Sequence, residues 1–365
     1  MICLIGNSGL KRHGVDGQTA KVRLYLKKIK DEGLEVLFID LEDFFRRPLS
    51  IFSKINKAIK ICDRIVLISA QRGCKILLPY INFCNRKLKK PVILPLIGTN
   101  VLHYSMDKLS TEEKIDFLIN KNYSLCKFDK KTSRQLSQLQ YVLPETDLLS
   151  EVFADFFKIN NVRTLNNFRD VVPITNRKKT NPKSLRLVFL SRVMREKGIF
   201  DLLEAVKELN AKGYNLCLDI YGNRFISKVD KVLFDSYLNE QIRYLGQVEF
   251  DSVIDVLSKY DLFVFPTRFI GEGTPGVIAE SLIAGTPVLS SNFPQASILL
   301  EDGKNSLLYE INNPDDLIKK IKMLVSESKL LNNLTQNAYA SGGLYTYTAE
   351  RKKFLKYICG IEEVS

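Results

Sequence analysis

The sequence predicts an α/β protein of two doubly wound, Rossmann-like domains. Three observations carry that. Its 365 residues are about two domains' worth at roughly 150 residues each. Short apolar runs alternate with helix-spaced stretches along the chain, the pattern of a mainly parallel sheet covered by helices. The alternation pauses at 173–184 (PITNRKKTNPKS), which is polar, holds two Pro and has no apolar face, as a linker would. Residues 1–172 are therefore expected to form one domain and 185–340 a second.

The elements follow in order. Ile2–Ile5 is an apolar run ending in Gly6-Asn7-Ser8-Gly9. Lys21–Asp31 is helical, with Val22, Leu24, Leu26 and Ile29 among basic residues, and Val36–Ile39 is a strand. Helix Leu49–Cys62 precedes strand Arg64–Ile68, and helix Ile76–Leu88 precedes strand Val92–Ile97. Beyond the linker come strand Leu185–Leu190, helix Ile199–Ala211 and strand Leu216–Tyr221, ended by Gly222. Helix Asp251–Lys259, strand Leu262–Pro266, helix Gly276–Ala284, strand Pro287–Ser290 and helix Pro314–Val325 complete the second domain; Ala349–Ile358 is helical. No repeat of fixed period is present.

Composition excludes several classes. Hydrophobic residues are 45% and charged residues 26% of the chain, too apolar for a disordered protein. No apolar run approaches the roughly 18 residues of a membrane span. MICLIGNSG lacks a basic leader and a cleavage site, so no signal peptide is expected. The seven Cys are scattered and never in a CxxC pair, which points to a reducing compartment and away from disulfides or a zinc ribbon.

Charge is uneven. Residues 1–180 hold 32 Lys/Arg against 18 Asp/Glu, whereas the remainder is near neutral; residues 51–100 have ten Lys/Arg against Asp63 alone. An anionic partner for the first half follows: a membrane surface, a nucleic acid or an acidic saccharide. In 42–60 (EDFFRRPLSIFSKINKAIK), Phe44, Phe45, Leu49, Ile51, Phe52 and Ile55 interleave with Arg46, Arg47, Lys54, Lys57 and Lys60. This is the pattern of an interfacial helix, or of a core-facing helix with a solvated basic side. Arg86, Lys87, Lys89 and Lys90 extend the patch.

In doubly wound sheets ligands bind beyond the C-terminal strand ends, and three such ends stand out. After Leu262–Phe265 comes RFIGEGTPGVIAESLIAGTPVL (268–289), a Gly/Pro loop running into a helix, with Glu272 at its rim and Glu280 a turn deeper. Backbone N–H groups at such a helix start suit an anion, and two carboxylates suit a ligand with several hydroxyls; a plain helix cap with a surface Glu280 is the alternative. After Leu185–Leu190 comes SRVMREKG (191–198), whose Arg192 and Lys197 suit a diphosphate, or are ordinary surface charge. After the first strand comes a loop with Gly6, Gly9, Gly14 and Gly17, matching neither GxGxxG nor a P-loop. Asp16, Gln18 and Thr19 lie at the expected helix start, where they cap it or touch ligand.

Together these motifs resemble the donor-binding domain of retaining GT-B glycosyltransferases of family 4. The matching segments are SRVMREKG (191–198), Gly222, YLGQV (244–248), EGTPGVIAESLIAGTPVL (272–289) with its Glu, seven residues, Glu signature, and ILLEDGKNSLLYEINNPDDL (298–317). The first half resembles the family more loosely, through 14–29, 62–68 and 143–171; the pattern is most like the capsule, O-antigen and related surface-polysaccharide members. The resemblance implies two Rossmann-like domains facing a central cleft, with residues 341–365 packing back on the first. It implies a hexosyltransferase that retains anomeric configuration and needs no metal, its donor a nucleoside-diphosphate sugar, uridine favoured over guanosine. Arg192 and Lys197 would neutralise the diphosphate, Glu272 would contact the transferred sugar and Glu280 the ribose. Gly273, Thr274, Pro275, Gly276, Gly222 and Arg268 would line the donor site, and Gly14, Asp16, Gly17 and Gln18 the cleft. The family's active-site His has no clear counterpart; Gly98 or His103 stands near its place. The acceptor would be a glycan or lipid-linked saccharide, met by a cytoplasmic enzyme on the anionic inner leaflet, with no nucleic acid. Competing classes are a nucleic-acid binder, a non-catalytic nucleotide-sugar-binding subunit, and another GT-B enzyme such as an epimerase or phosphorylase.

Overall fold

The computed structural model describes residues 1–10, 17–99, 101–106, 108–171, 184–269, 272 and 275–362. The expected linker, save Ser184, lies outside them, as do Gly14, Asp16, Gly273 and Thr274. The chain divides into two compact units, Met1–Asn167 with Glu350–Ser365, and Phe168–Ala349.

The first unit runs β1 (Ile2–Gly6), α1 (Gly17–Asp31), β2 (Val36–Asp40), α2 (Pro48–Ile61), β3 (Arg64–Ile68), α3 (Gln71–Asn85) and β4 (Val92–Pro95). It continues with α4 (His103–Met106), α5 (Thr111–Ile119), α6 (Lys130–Leu136), β5 (Tyr141–Leu143) and α7 (Asp147–Phe157). All strands are parallel, in the order β2-β1-β3-β4-β5. Ile55, Ile59, Leu77 and Ile81 from α2 and α3 meet Cys3, Ile5, Ile65 and Leu67 of the sheet in one core.

The second unit holds β6 (Leu185–Leu190), α8 (Ile199–Ala211), β7 (Leu216–Tyr221), α9 (Lys228–Tyr237), β8 (Ile242–Gly246), α10 (Val253–Leu257) and β9 (Leu262–Phe265). Then come α11 (Gly276–Ile283), β10 (Val288–Ser291), α12 (Ala296–Leu299), β11 (Ser306–Tyr309), α13 (Pro314–Ser326) and α14 (Ser328–Gly342). Its parallel sheet has the order β11-β10-β9-β6-β7-β8. Both faces are covered: Leu187, Phe189, Leu262 and Val264 point into one apolar cluster, and Val188, Phe263 and Phe265 into another. Two-sided burial is why these strands read as unbroken apolar runs. The strand order reverses at β6/β9, since the chain builds outward from β6 to β8 and then returns to lay β9 on β6's other side. Ligands of such sheets bind at that switch point.

The sequence puts the second domain at 185–340. In the structure Arg169 donates its backbone N–H to the Tyr345 carbonyl and accepts from Tyr347 N–H, both at 2.8 Å. That clasp brings residues 168–171 and 341–349 into the second unit. The last helix, α15 (Tyr347–Phe354), continues as a π-turn over Leu355–Cys359. In the first unit the Phe354 ring stands edge-on to Tyr25 at 5.1 Å, Arg351 forks onto Glu32, and Arg64 donates to the Ile358 carbonyl at 2.9 Å.

Local differences from the sequence reading have simple causes. The expected helix over 251–259 is a 3-10 turn, Phe250–Ser252, followed by α10. The strand expected through Ile97 ends at Pro95, because β5, its neighbour, is three residues long. All seven cysteines are free thiols.

Candidate active site

The β6/β9 switch point gathers the strongest sequence motifs. Beyond β6 the chain makes a 3-10 turn over Arg195–Lys197 and enters α8 at Gly198 with φ 68°. A Cβ at Gly198 would collide with the Pro266 carbonyl just beyond β9, so only glycine lets these two strand ends lie this close. Gly222 does the same work after β7: at φ 129° a Cβ would strike the Ser191 carbonyl. The Tyr244 hydroxyl donates to the Gly222 carbonyl at 2.9 Å and fixes that turn.

This closeness brings Lys197 onto Glu272. The ammonium donates to Oε1 in a buried ion pair, both side chains about nine-tenths buried. Thr267 Oγ1 donates to the same oxygen at 2.9 Å, and Gln295 Nε2 donates to the Glu272 carbonyl at 3.0 Å. Lys197 Nζ also stands 5.7 Å and 5.5 Å from the Phe265 and Phe269 ring centroids. A buried pair this well satisfied is rigid, and removing either partner strands a charge in an apolar wall.

The other expected cations behave differently. Arg192 is exposed and makes no ion pair with a described residue, so its guanidinium is available to an anion. Arg268 is not: it forks onto Asp201, with Nε to Oδ2 at 2.6 Å and Nη2 to Oδ1 at 2.5 Å. That pair anchors the β9 loop on α8. Arg195 likewise bonds Asp230 and holds that carboxyl below its usual range. Burial pushes the Tyr309 phenol up, and the Asp201 carboxylate adds to it.

Glu280, the fifth residue of α11, is buried, and its Oε1 accepts from Arg169 Nε at 2.6 Å. Pro275 occupies the N-cap of α11 and, having no side-chain hydrogen bond to offer, leaves the first N–H groups of Gly276 and Val277 outside the helix ladder. The two glutamates thus each hold a cation of their own. Arg169, Thr267 and Gln295 were not signalled by spacing; of these only Thr267, next to a strand end, lay where a search would start.

In the first unit, Gly17 and Gln18 open α1. Gly98, at φ 55°, donates its N–H to Glu145 Oε2 at 3.2 Å. Glu145 is in turn paired in the core with Lys21 Nζ at 2.7 Å, which also reaches the Leu96 carbonyl. The loop after β4 is therefore fixed by a buried ion pair. His103 begins α4. Among the described residues no group of three or more His, Cys, Asp or Glu is placed to hold a metal.

Known proteins bear on this arrangement. Residues 173–341 match the model of the family described as glycosyl transferases group 1. An uncharacterised glycosyltransferase of Methanocaldococcus jannaschii is 29% identical over 150 residues, 41% of either chain. The lipopolysaccharide core biosynthesis glycosyltransferase LpsE of Rhizobium meliloti is 25% identical over 202 residues, 54% of this chain and 57% of that one. The chain thus spans between two fifths and three fifths of the length of these relatives. The crystal structure of Anabaena HepE in complex with UDP and glucose superposes over 99% of both chains with a TM-score of 0.69 at 14% identity. Residues 173–341 are therefore similar to the glycosyl transferases group 1 family, on a chain with the GT-B fold of two Rossmann-like units.

Proposed function

We propose that the protein is a retaining, metal-independent hexosyltransferase. It moves a sugar from a nucleoside-diphosphate donor, UDP-sugar favoured, to a glycan or lipid-linked glycan acceptor in surface-polysaccharide synthesis. The observation that carries this reading is the buried Lys197–Glu272 pair at the β6/β9 switch point, with exposed Arg192 following β6 and the start of α11 uncapped. The names of LpsE and of the HepE complex with UDP and glucose support it.

In this mechanism the bond from the sugar's anomeric carbon to the β-phosphate oxygen breaks, and the diphosphate takes the electron pair. Arg192 and the α11 N–H groups stabilise the charge that develops there; fixed cations and dipoles do this work without a metal. The acceptor hydroxyl attacks from the same face and passes its proton to the departing phosphate oxygen. Glu272, held on Oε1 by both Lys197 and Thr267, positions the sugar and steadies its positive character instead of forming a covalent bond. The test is transfer from UDP-, GDP- and ADP-hexoses in EDTA, followed by proton NMR of the new anomeric centre. Inverted product, or activity restored only by a divalent cation, would overturn the reading.

We further propose that the first unit docks on an anionic inner-leaflet surface. Phe44, Ile51 and Ile55 of the basic segment are core residues, so α2 presents only part of the expected apolar face. What supports docking is the rest: Leu49, Ile61, Phe83 and Leu88 are exposed among exposed Arg46, Arg47, Lys54, Lys57, Lys60, Arg86, Lys87 and Lys89. Each cation near such a bilayer contributes about 1 kcal/mol. No helix among the described residues is long and apolar enough to cross a membrane. In liposome flotation the protein should rise with anionic vesicles and stay behind with zwitterionic ones; equal behaviour on both contradicts docking.

A further inference from the structure

Arg169 lies 111 residues before Glu280 and belongs to no helix or strand, yet it is the residue that holds Glu280. Its backbone is clasped to Tyr345 and Tyr347, and its Nη1 donates to the Phe168 carbonyl at 3.0 Å. Its guanidinium lies 5.9 Å from the Phe250 ring centroid and against the first residue of α11. A Cβ at Gly276 would collide with Nη2, so the glycine leaves the space that the guanidinium fills. Gly276 and Glu280 are one helical turn apart and share a face of α11. The side chain is 13% exposed and that of Glu280 7%, so the pair is largely out of water and its geometry is fixed.

A carboxylate has two oxygens. Here Oε1 is committed to Arg169, and among the described residues none donates to Oε2. We propose that Arg169 is a positioning residue for the donor's ribose: it locks Glu280 so that Oε2 alone is presented to the vicinal hydroxyls. This rests on the reading of the second unit as a nucleoside-diphosphate site. The consequence is selectivity for ribose over 2′-deoxyribose. A fixed single acceptor rewards a correctly placed hydroxyl, whereas an unlocked carboxylate rotates to water or to whichever hydroxyl remains.

The experiment is calorimetric titration with UDP, GDP and ADP, followed by the 2′-deoxy form of the tightest binder. Arg169→Met should weaken that nucleotide about 10-fold or more, as for a lost charge-assisted contact, and should shrink the preference for ribose. In a Glu280→Gln background the same substitution should add less than about twofold, since the two residues act as one unit. Gly276→Ala, whose methyl displaces the guanidinium, should copy the loss, and Arg169→Lys should recover part of it; these two serve if Arg169→Met does not fold. Unchanged or tighter binding by Arg169→Met, an undiminished ribose preference, or an equal loss in the Glu280→Gln background overturns the proposal. Wild-type protein that binds none of the three diphosphates overturns the donor-site reading itself.

Discussion

Glu272→Gln should leave nucleoside-diphosphate affinity nearly intact and lower turnover by about 10²-fold or more, because in the proposed mechanism Glu272 faces charge that exists only in the transition state. The amide is the informative substitution. A 10²-fold loss corresponds to about 2.7 kcal/mol. Glu272→Ala would also strand the Lys197 ammonium in its buried wall, at about 3–5 kcal/mol of stability. The folding penalty would then exceed the catalytic effect it was meant to reveal. Glutamine keeps an oxygen that Lys197 and Thr267 can bond. Steady-state turnover beside nucleotide titration checks this, and a parallel loss of affinity and rate would remove Glu272 from the sugar.

Lys197→Met should cost about 3–5 kcal/mol of stability, seen as a lower urea midpoint, because Glu272 is left buried without its cation. Arg192→Ala should leave the midpoint unchanged, since Arg192 is exposed and unpaired among the described residues, and should weaken nucleoside-diphosphate binding by about 1.5–3 kcal/mol. The sequence makes these two cations look alike; the structure buries one against Glu272 and leaves the other exposed. Equal midpoints for the two variants would contradict that division.

How much was legible in the sequence depends on local signal. The strands of the second unit read clearly because both faces are buried and every position is apolar. Helix α9 did not read, since Val229 and Val232 point to solvent and blur its apolar face. Strand β8 lies at the sheet edge with alternate residues exposed, and gave only a weak run. Sheet order is absent from any local pattern: that β9 lies against β6 depends on pairing between residues 75 apart. The candidate site was legible to the same depth. Strand ends pointed to Lys197 and Glu272 separately, but their pairing is tertiary. The Arg268–Asp201 pair was equally hidden, because Asp201 sits on another element. Arg169 gave no signal, since its role is set by the clasp to Tyr345 and Tyr347.

Calorimetric titration of the purified protein in EDTA with UDP, GDP, ADP and CMP tests the proposed nucleoside-diphosphate site at the β6/β9 switch point. About micromolar binding of one diphosphate is expected, UDP first among them, weakened about 10-fold or more by Arg192→Ala. Heat from none of the four, or binding indifferent to Arg192, would contradict it.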